Sequence, residues 1–183
     1  KKYNKIIIAG HSEGSLIGMI AANGKADAFI SLAGAGRTID TVLVEQIAKQ
    51  APYLKEEVQD NLNILKSGKT FELKNPMLAS IFRESVQPYM ISWIKYNPQI
   101  EIAKLQMPVL IVNGTKDLQV AVHDAELLKK AKPEAELVLI ENMNHIFKEI
   151  KGDDTENIQS YSNPDAPIAP KLTNPITVFI KAL

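Results

Sequence analysis

The chain has 183 residues, 45% of them hydrophobic, and its 21 basic side chains balance its 21 acidic ones. That length suits one domain, or one domain with an insertion, and is enough to bury a sizeable core. The balance gives no basic excess for phosphate, so no nucleic-acid partner is expected; no basic cluster or long apolar run points to a membrane, and the lack of cysteine excludes disulfides and thiolate metal sites.

Residue 1 is lysine and no signal peptide is visible, so the sequence is expected to begin inside a longer polypeptide. Lys5-Ile6-Ile7-Ile8-Ala9-Gly10 is apolar and β-branched, which predicts a strand buried on both faces of a parallel sheet. After His11-Ser12-Glu13-Gly14-Ser15, the run Leu16 to Ala22 predicts an apolar helix, with Gly24 to end it. Ala26 to Ala33 predicts a second strand, and strand, helix, strand makes a right-handed βαβ unit.

From about Arg37 to Asn97 the rhythm changes. Val42, Leu43, Ile47, Val58, Leu62 and Leu65 recur at helical spacing, and Pro52, Pro76 and Pro88 cut the stretch into short pieces. It reads as an inserted helical cap, which would split the core into residues 1–36 and 98–183. The alternation resumes with a strand at Met107 to Gly114, a helix from Val122 to Lys132 stopped by Pro133, and a strand at Ala135 to Ile140. A Pro-rich loop follows at Ser162 to Pro170, and a closing helix is expected over Ile176 to Leu183. The fold class expected is α/β, a parallel sheet of about four strands in sequential order with an inserted helical cap.

Gly10-His11-Ser12-Glu13-Gly14 matches Gly-x-Ser-x-Gly at a strand-to-helix junction. A serine on such a turn adopts a strained backbone that lifts its hydroxyl clear of the sheet, and small residues on either side let strand and helix approach. The N–H of Glu13 then faces a developing oxyanion. The alternative is an ordinary βα turn with a helix-capping serine. A nucleophilic serine needs a base, and the histidines are His11, His123 and His145. His11 adjoins the serine, so its side chain should diverge at a tight turn. His123 lies in or beside a predicted helix and reads as a surface residue. His145 follows the fourth strand, at the carboxyl edge where parallel sheets gather their sites. Asp117, just past the third strand, would orient it; Asp117 could instead cap the next helix, and Asp124 is a weaker substitute. The order Ser, Asp, His is that of α/β hydrolases.

Three blocks carry a wider resemblance: Ile7 to Ser15, Pro108 to Asp117, and Asn142-Met143-Asn144-His145. On these the sequence resembles the C-terminal two-thirds of an α/β-hydrolase serine esterase. Ser80 to Arg83, Tyr89 to Trp93 and Tyr161 to Asp165 resemble a bacterial carboxylesterase group related to prolyl-oligopeptidase-like hydrolases. The resemblance implies Ser12 as nucleophile, His145 as base and Asp117 as its orienter, with no cofactor or metal. It makes the strands here the fifth to eighth of the family's sheet, with the cap between the sixth and seventh. It also implies a front with four strands and a second oxyanion loop, whereas no His-Gly-Gly-like segment occurs in this chain. Were these residues the whole molecule, turnover would fall by about 10²–10³, and the open edge of Lys5–Gly10 would pair with a second copy or aggregate.

The expected partner is a small-molecule ester. Phe82, Tyr89, Trp93 and Tyr96 are candidates for the acyl or alcohol pocket wall, and Arg83 for a substrate carboxylate; packing and solvation are the competing readings. Thioesterase or peptidase chemistry on the same triad, or a fragment without a working oxyanion hole, are the alternatives. A haloalkane mechanism is disfavoured, since it wants an aspartate at position 12. The compartment stays open between bacterial cytoplasm and periplasm or secretion.

Overall fold

In the computed structural model, which describes residues 3–183, the four predicted strands pair in parallel, each with the next in chain order. In chain order the elements are β1 (Ile7–His11), α1 (Glu13–Ala22), β2 (Ala28–Leu32), α2 (Ile39–Gln50), α3 (Lys55–Lys66), α4 (Ala79–Phe82), α5 (Gln87–Ile94), α6 (Pro98–Ala103), β3 (Val109–Gly114), α7 (Val122–Ala131), β4 (Glu136–Ile140), α8 (Asp154–Ser160) and α9 (Thr173–Ala182). The sheet order is β1-β2-β3-β4.

The two central strands read as expected for parallel strands covered on both faces. Every residue of β3 is buried, as are Ala28 to Ser31 of β2. β1 departs from the expectation. It pairs only with β2 among the described residues, so Ile7 and Ile8 are half-buried and Ala9 is exposed. An apolar run signals that a strand wants cover, and among the described residues β1 has a neighbouring strand on one side only. One sheet face packs Ala28, Ile30, Leu110, Val112 and Ile140 against Met143, Leu172 and Phe179 of the C-terminal segment. α1 lies against β1 and β2.

The chain divides into two compact units, one running through Gly36 and resuming over Pro98–Leu183, the other Arg37–Asn97. The second is helical, with its own core of Leu54, Val58, Leu62, Leu65, Leu78, Phe82 and Met90. Its prolines open elements: Pro52 and Pro76 start single 3₁₀ turns, and Pro88 is the second residue of α5. In the first unit, both ends of the intervening segment are fastened. The Gln99 side-chain amide donates to the Gly36 carbonyl at 2.9 Å, and the Gly36 N–H donates to Asp124 Oδ1 at 3.1 Å. That assigns the buried carboxylate of Asp124 a structural task.

α1 starts at Glu13, directly after the serine, where the strand-to-helix motif puts it. Two other helices differ from expectation. α9 starts at Thr173 rather than Ile176, with Pro175 in its first turn, where a missing N–H costs nothing. α8 was not expected. Asp153 caps it, accepting from Thr155 N and Glu156 N at 3.0 and 3.2 Å.

Candidate active site

Ser12 occupies the turn between β1 and α1 with φ 56° and ψ −124°, a conformation that costs a non-glycine residue about 1–3 kcal/mol. Surrounding contacts hold it there. Ser12 N–H donates to the Leu32 carbonyl of β2 at 2.9 Å, and Ser15 N–H donates to the Ser12 carbonyl at 2.9 Å. The turn is tight because Gly10 lacks a side chain: a Cβ there would lie 2.0 Å from the Gly14 carbonyl oxygen. At Gly14 a Cβ would meet nothing within 4 Å, so close approach needs only one of the two motif glycines, against the expectation for both.

Asp117 and His145 reach the same spot from the next two strands. After β3, the Asp117 carboxylate folds back on its own turn, with Oδ1 accepting from Gln119 N and Val120 N at 2.8 Å each. Its other oxygen, Oδ2, accepts from His145 Nδ1 at 2.8 Å. The capping alternative and the orienting role therefore use different oxygens of one carboxylate. A carboxylate only accepts, so neutral His145 carries its proton on Nδ1, and Nε2 is free to accept. The Ser12 hydroxyl donates to that Nε2 at 3.0 Å. The Asp117 side chain is fully buried and that of His145 nearly so. Serine, imidazole and carboxylate thus form one continuous hydrogen-bonded row.

No protein family matches the chain, nor does any curated protein. Solved structures do. Est1E from Butyrivibrio proteoclasticus is 20% identical, aligns over 87% of this chain and 58% of its own, and superposes with a TM-score of 0.50. The esterase PF2001 from Pyrococcus furiosus is 15% identical over 97% of this chain and 54% of its own, with a TM-score of 0.54. The present chain carries part of the α/β-hydrolase fold. It spans a little over half the length of these structures.

Within this α/β-hydrolase fold, the loops bearing Asp117 and His145 are laced together. Thr115 N donates to Ile140 O and Lys116 N to Met143 O, both at 3.0 Å, and Asn142 N donates to Thr115 Oγ1 at 2.9 Å. Gly114 permits this, since a Cβ there would meet the Met143 carbonyl oxygen at 2.0 Å. Asn144 then shapes the histidine loop. Its Oδ1 accepts from Ile146 N and Lys148 N, and its Nδ2 donates to Asn157 Oδ1 and Ser160 Oγ on α8. Asn157 in turn donates to the Lys116 carbonyl at 2.7 Å, beside Asp117. Sequence reasoning missed this network. The capping signal Asp153-x-x-Glu156 could have located α8, but not its partners. Asn157→Ala leaves the Lys116 carbonyl and one bond of Asn144 unmet, and is expected to cost about 1–3 kcal/mol in urea unfolding.

Glu13 is the first residue of α1, so its N–H has no acceptor within the helix. Burial pushes its carboxyl pKa up. His123 is exposed, 3.7 Å from Glu126, as expected of a surface histidine. His11 does not diverge from the site as expected. Its Nε2 lies 2.9 Å from the His145 carbonyl oxygen, and its ring stands against the His145 ring.

The candidates in the helical unit divide. Phe82 is fully buried in that unit's own core, where Gln87 Nε2 donates to its carbonyl, which fits the packing reading and not the pocket-wall one. Tyr89 is exposed, with its ring 5.6 Å from that of Trp93, which is half-buried. Tyr96 is partly exposed. Arg83 is exposed and donates to the Ser80 carbonyl at 3.4 Å. Among the described residues no group of three or more histidine or acidic side chains is placed to hold a metal, and no described helix is long and apolar enough to cross a membrane.

Proposed function

We propose that the protein is a serine hydrolase that cleaves small carboxylic esters through an acyl-Ser12 intermediate. The observation that carries this reading is the row Ser12 Oγ, His145 Nε2, His145 Nδ1, Asp117 Oδ2, with spacings of 3.0 and 2.8 Å. In the first half-reaction Ser12 Oγ bonds to the ester carbonyl carbon while its proton passes to His145 Nε2. Asp117 stabilises the imidazolium and fixes the ring. The Glu13 N–H donates to the oxyanion of the tetrahedral adduct. The adduct collapses as the C–O bond to the alcohol breaks, and His145 returns the proton to the departing oxygen. Water, deprotonated by His145, then attacks the acyl carbon; the bond to Ser12 Oγ breaks as His145 returns that proton to it, and the carboxylic acid leaves.

The ester class is supported by the resemblance in the nucleophile, aspartate and histidine blocks. Turnover of p-nitrophenyl esters of graded acyl length, set against a thioester and a peptide p-nitroanilide, tests it. The esters are expected to be hydrolysed with the highest kcat/KM; faster thioester or anilide cleavage would reassign the substrate while keeping the nucleophile. Asp117→Asn keeps the bonds from Gln119 and Val120 available to Oδ1 but lets the side chain donate, favouring the wrong His145 tautomer. A fall in kcat of roughly 10⁴ is expected, the size seen for the orienting aspartate of serine proteases.

A further inference from the structure

The His145 ring has a neighbour besides Asp117 and Ser12, and little of it meets solvent. His11, the residue before the nucleophile, puts its ring centroid 4.8 Å from that of His145 and 4.6 Å from that of Phe147. Its Nε2 lies 2.9 Å from the His145 main-chain oxygen. A carbonyl only accepts, so His11 carries a proton on Nε2 and donates it. Phe147 holds a left-handed backbone, φ 66°, and is pinned by donation from its N–H to the Asn144 carbonyl and from Ala169 N–H to its own carbonyl. The His11 ring is therefore held between the His145 ring and the fixed ring of Phe147.

We infer that His11 is a positioning residue for the base: its N–H holds the His145 backbone at the distance from which the imidazole meets Ser12, and its ring fixes the imidazole plane. The inference rests on the reading of His145 as general base. It adds a second tie, from a side chain to the main chain, between the serine turn after β1 and the histidine loop after β4, which the Ser12–His145 bond already joins. Serine and base then move together, since Ser12 is bonded to the His145 ring and its neighbour His11 to the His145 backbone.

The arrangement also carries a charge consequence. The titratable groups acting on His11 are His145 and Asp117; Phe147 is neutral. Burial lowers the His11 pKa, its bond to the His145 carbonyl opposes this, the neighbouring imidazole lowers it further, and Asp117 opposes. The net direction keeps His11 uncharged when His145 becomes imidazolium in the transition state. A proton added to His11 would set a positive charge beside the imidazolium that forms on His145 and disfavour it, so protonation of His11 adds its own step to the acid limb of kcat/KM.

The test uses His11→Phe, which keeps a ring but no donor, and His11→Gln, whose amide can reach the same carbonyl and does not titrate. His11→Phe is expected to lower kcat by about 10–100-fold with KM within about twofold, because misplacement of a reacting group by less than an ångström acts on the chemical step. His11→Gln is expected to recover most of that loss and to show a one-proton acid limb. Wild-type kcat in a folded His11→Phe, equal impairment of both variants, or the same acid-limb slope in wild type and His11→Gln would overturn the inference. If His11→Phe does not fold, the acid limb of His11→Gln decides alone. Ester hydrolysis that survives Ser12→Ala would instead remove the underlying hydrolase reading, so the two failures are told apart.

Discussion

Ser12→Ala is expected to lower ester kcat by about 10⁵–10⁶ while leaving the thermal unfolding midpoint unchanged or slightly raised. The magnitude follows from the loss of the covalent route: with no nucleophile, only oxyanion and binding contributions remain, and in serine hydrolases these supply about 10³–10⁴ over water. The stability direction follows from the backbone. Ser12 N–H and carbonyl bonds to Leu32 and Ser15 do not need the side chain, so the turn should persist with alanine at φ 56°. The strain at that position is held by its neighbours and not by the hydroxyl. His145→Ala should cost nearly as much as Ser12→Ala, and the double variant little more than either, because the two act as one unit. Michaelis kinetics with a p-nitrophenyl ester, paired with calorimetry, checks both halves.

Gly10→Ala is expected to be strongly destabilising, although it adds only a single methyl. The new carbon would sit 2.0 Å from the Gly14 carbonyl oxygen and 2.8 Å from Ser15 Cα, and both are backbone atoms that cannot rotate away. α1 would have to shift along β1, pulling Ser12 from His145. Overpacking in well-fitted interiors costs about 1–3 kcal/mol and occasionally more; here the obstruction is main chain, so the upper end or beyond is expected. Gly14→Ala is the matched control. Space is open there, and alanine within a helix gains about 0.5–1 kcal/mol over glycine. Urea midpoints should therefore move in opposite directions for two substitutions four residues apart in one motif.

What the sequence reveals depends on how local the signal is. β2 and β3 are legible because continuous apolar runs suit central parallel strands, and Ser12, Asp117 and His145 each stand just past a strand end. β1 shows the limit. Ile6, Ile7 and Ile8 read like any buried strand, and nothing local says that among the described residues β1 pairs on one side only. His11 reads as diverging because it adjoins the serine at a tight turn, where neighbouring side chains of a strand would continue to alternate. The positive φ of Ser12 ends that alternation, and both side chains reach His145, one its backbone and the other its ring. The Asn144–Asn157 contact spans a loop whose path is set by Asn142 and Phe147 in the left-handed region, which asparagine tolerates and phenylalanine rarely adopts. No periodicity encodes such a path. Phe82 illustrates the converse. Aromatic residues at helical spacing look alike whether they line a pocket or fill a core, and burial alone separates the two.

The account turns on whether the Ser12 hydroxyl is activated by the imidazole beside it. Intact-protein and peptide mass spectrometry after exposure to a fluorophosphonate measures this directly, since the reagent phosphonylates an activated serine oxygen with loss of fluoride. One adduct per chain, located on Ser12, absent in Ser12→Ala and slowed at least about a hundredfold in His145→Ala, is the predicted result. An unmodified wild-type chain, or labelling that persists in Ser12→Ala, would contradict it.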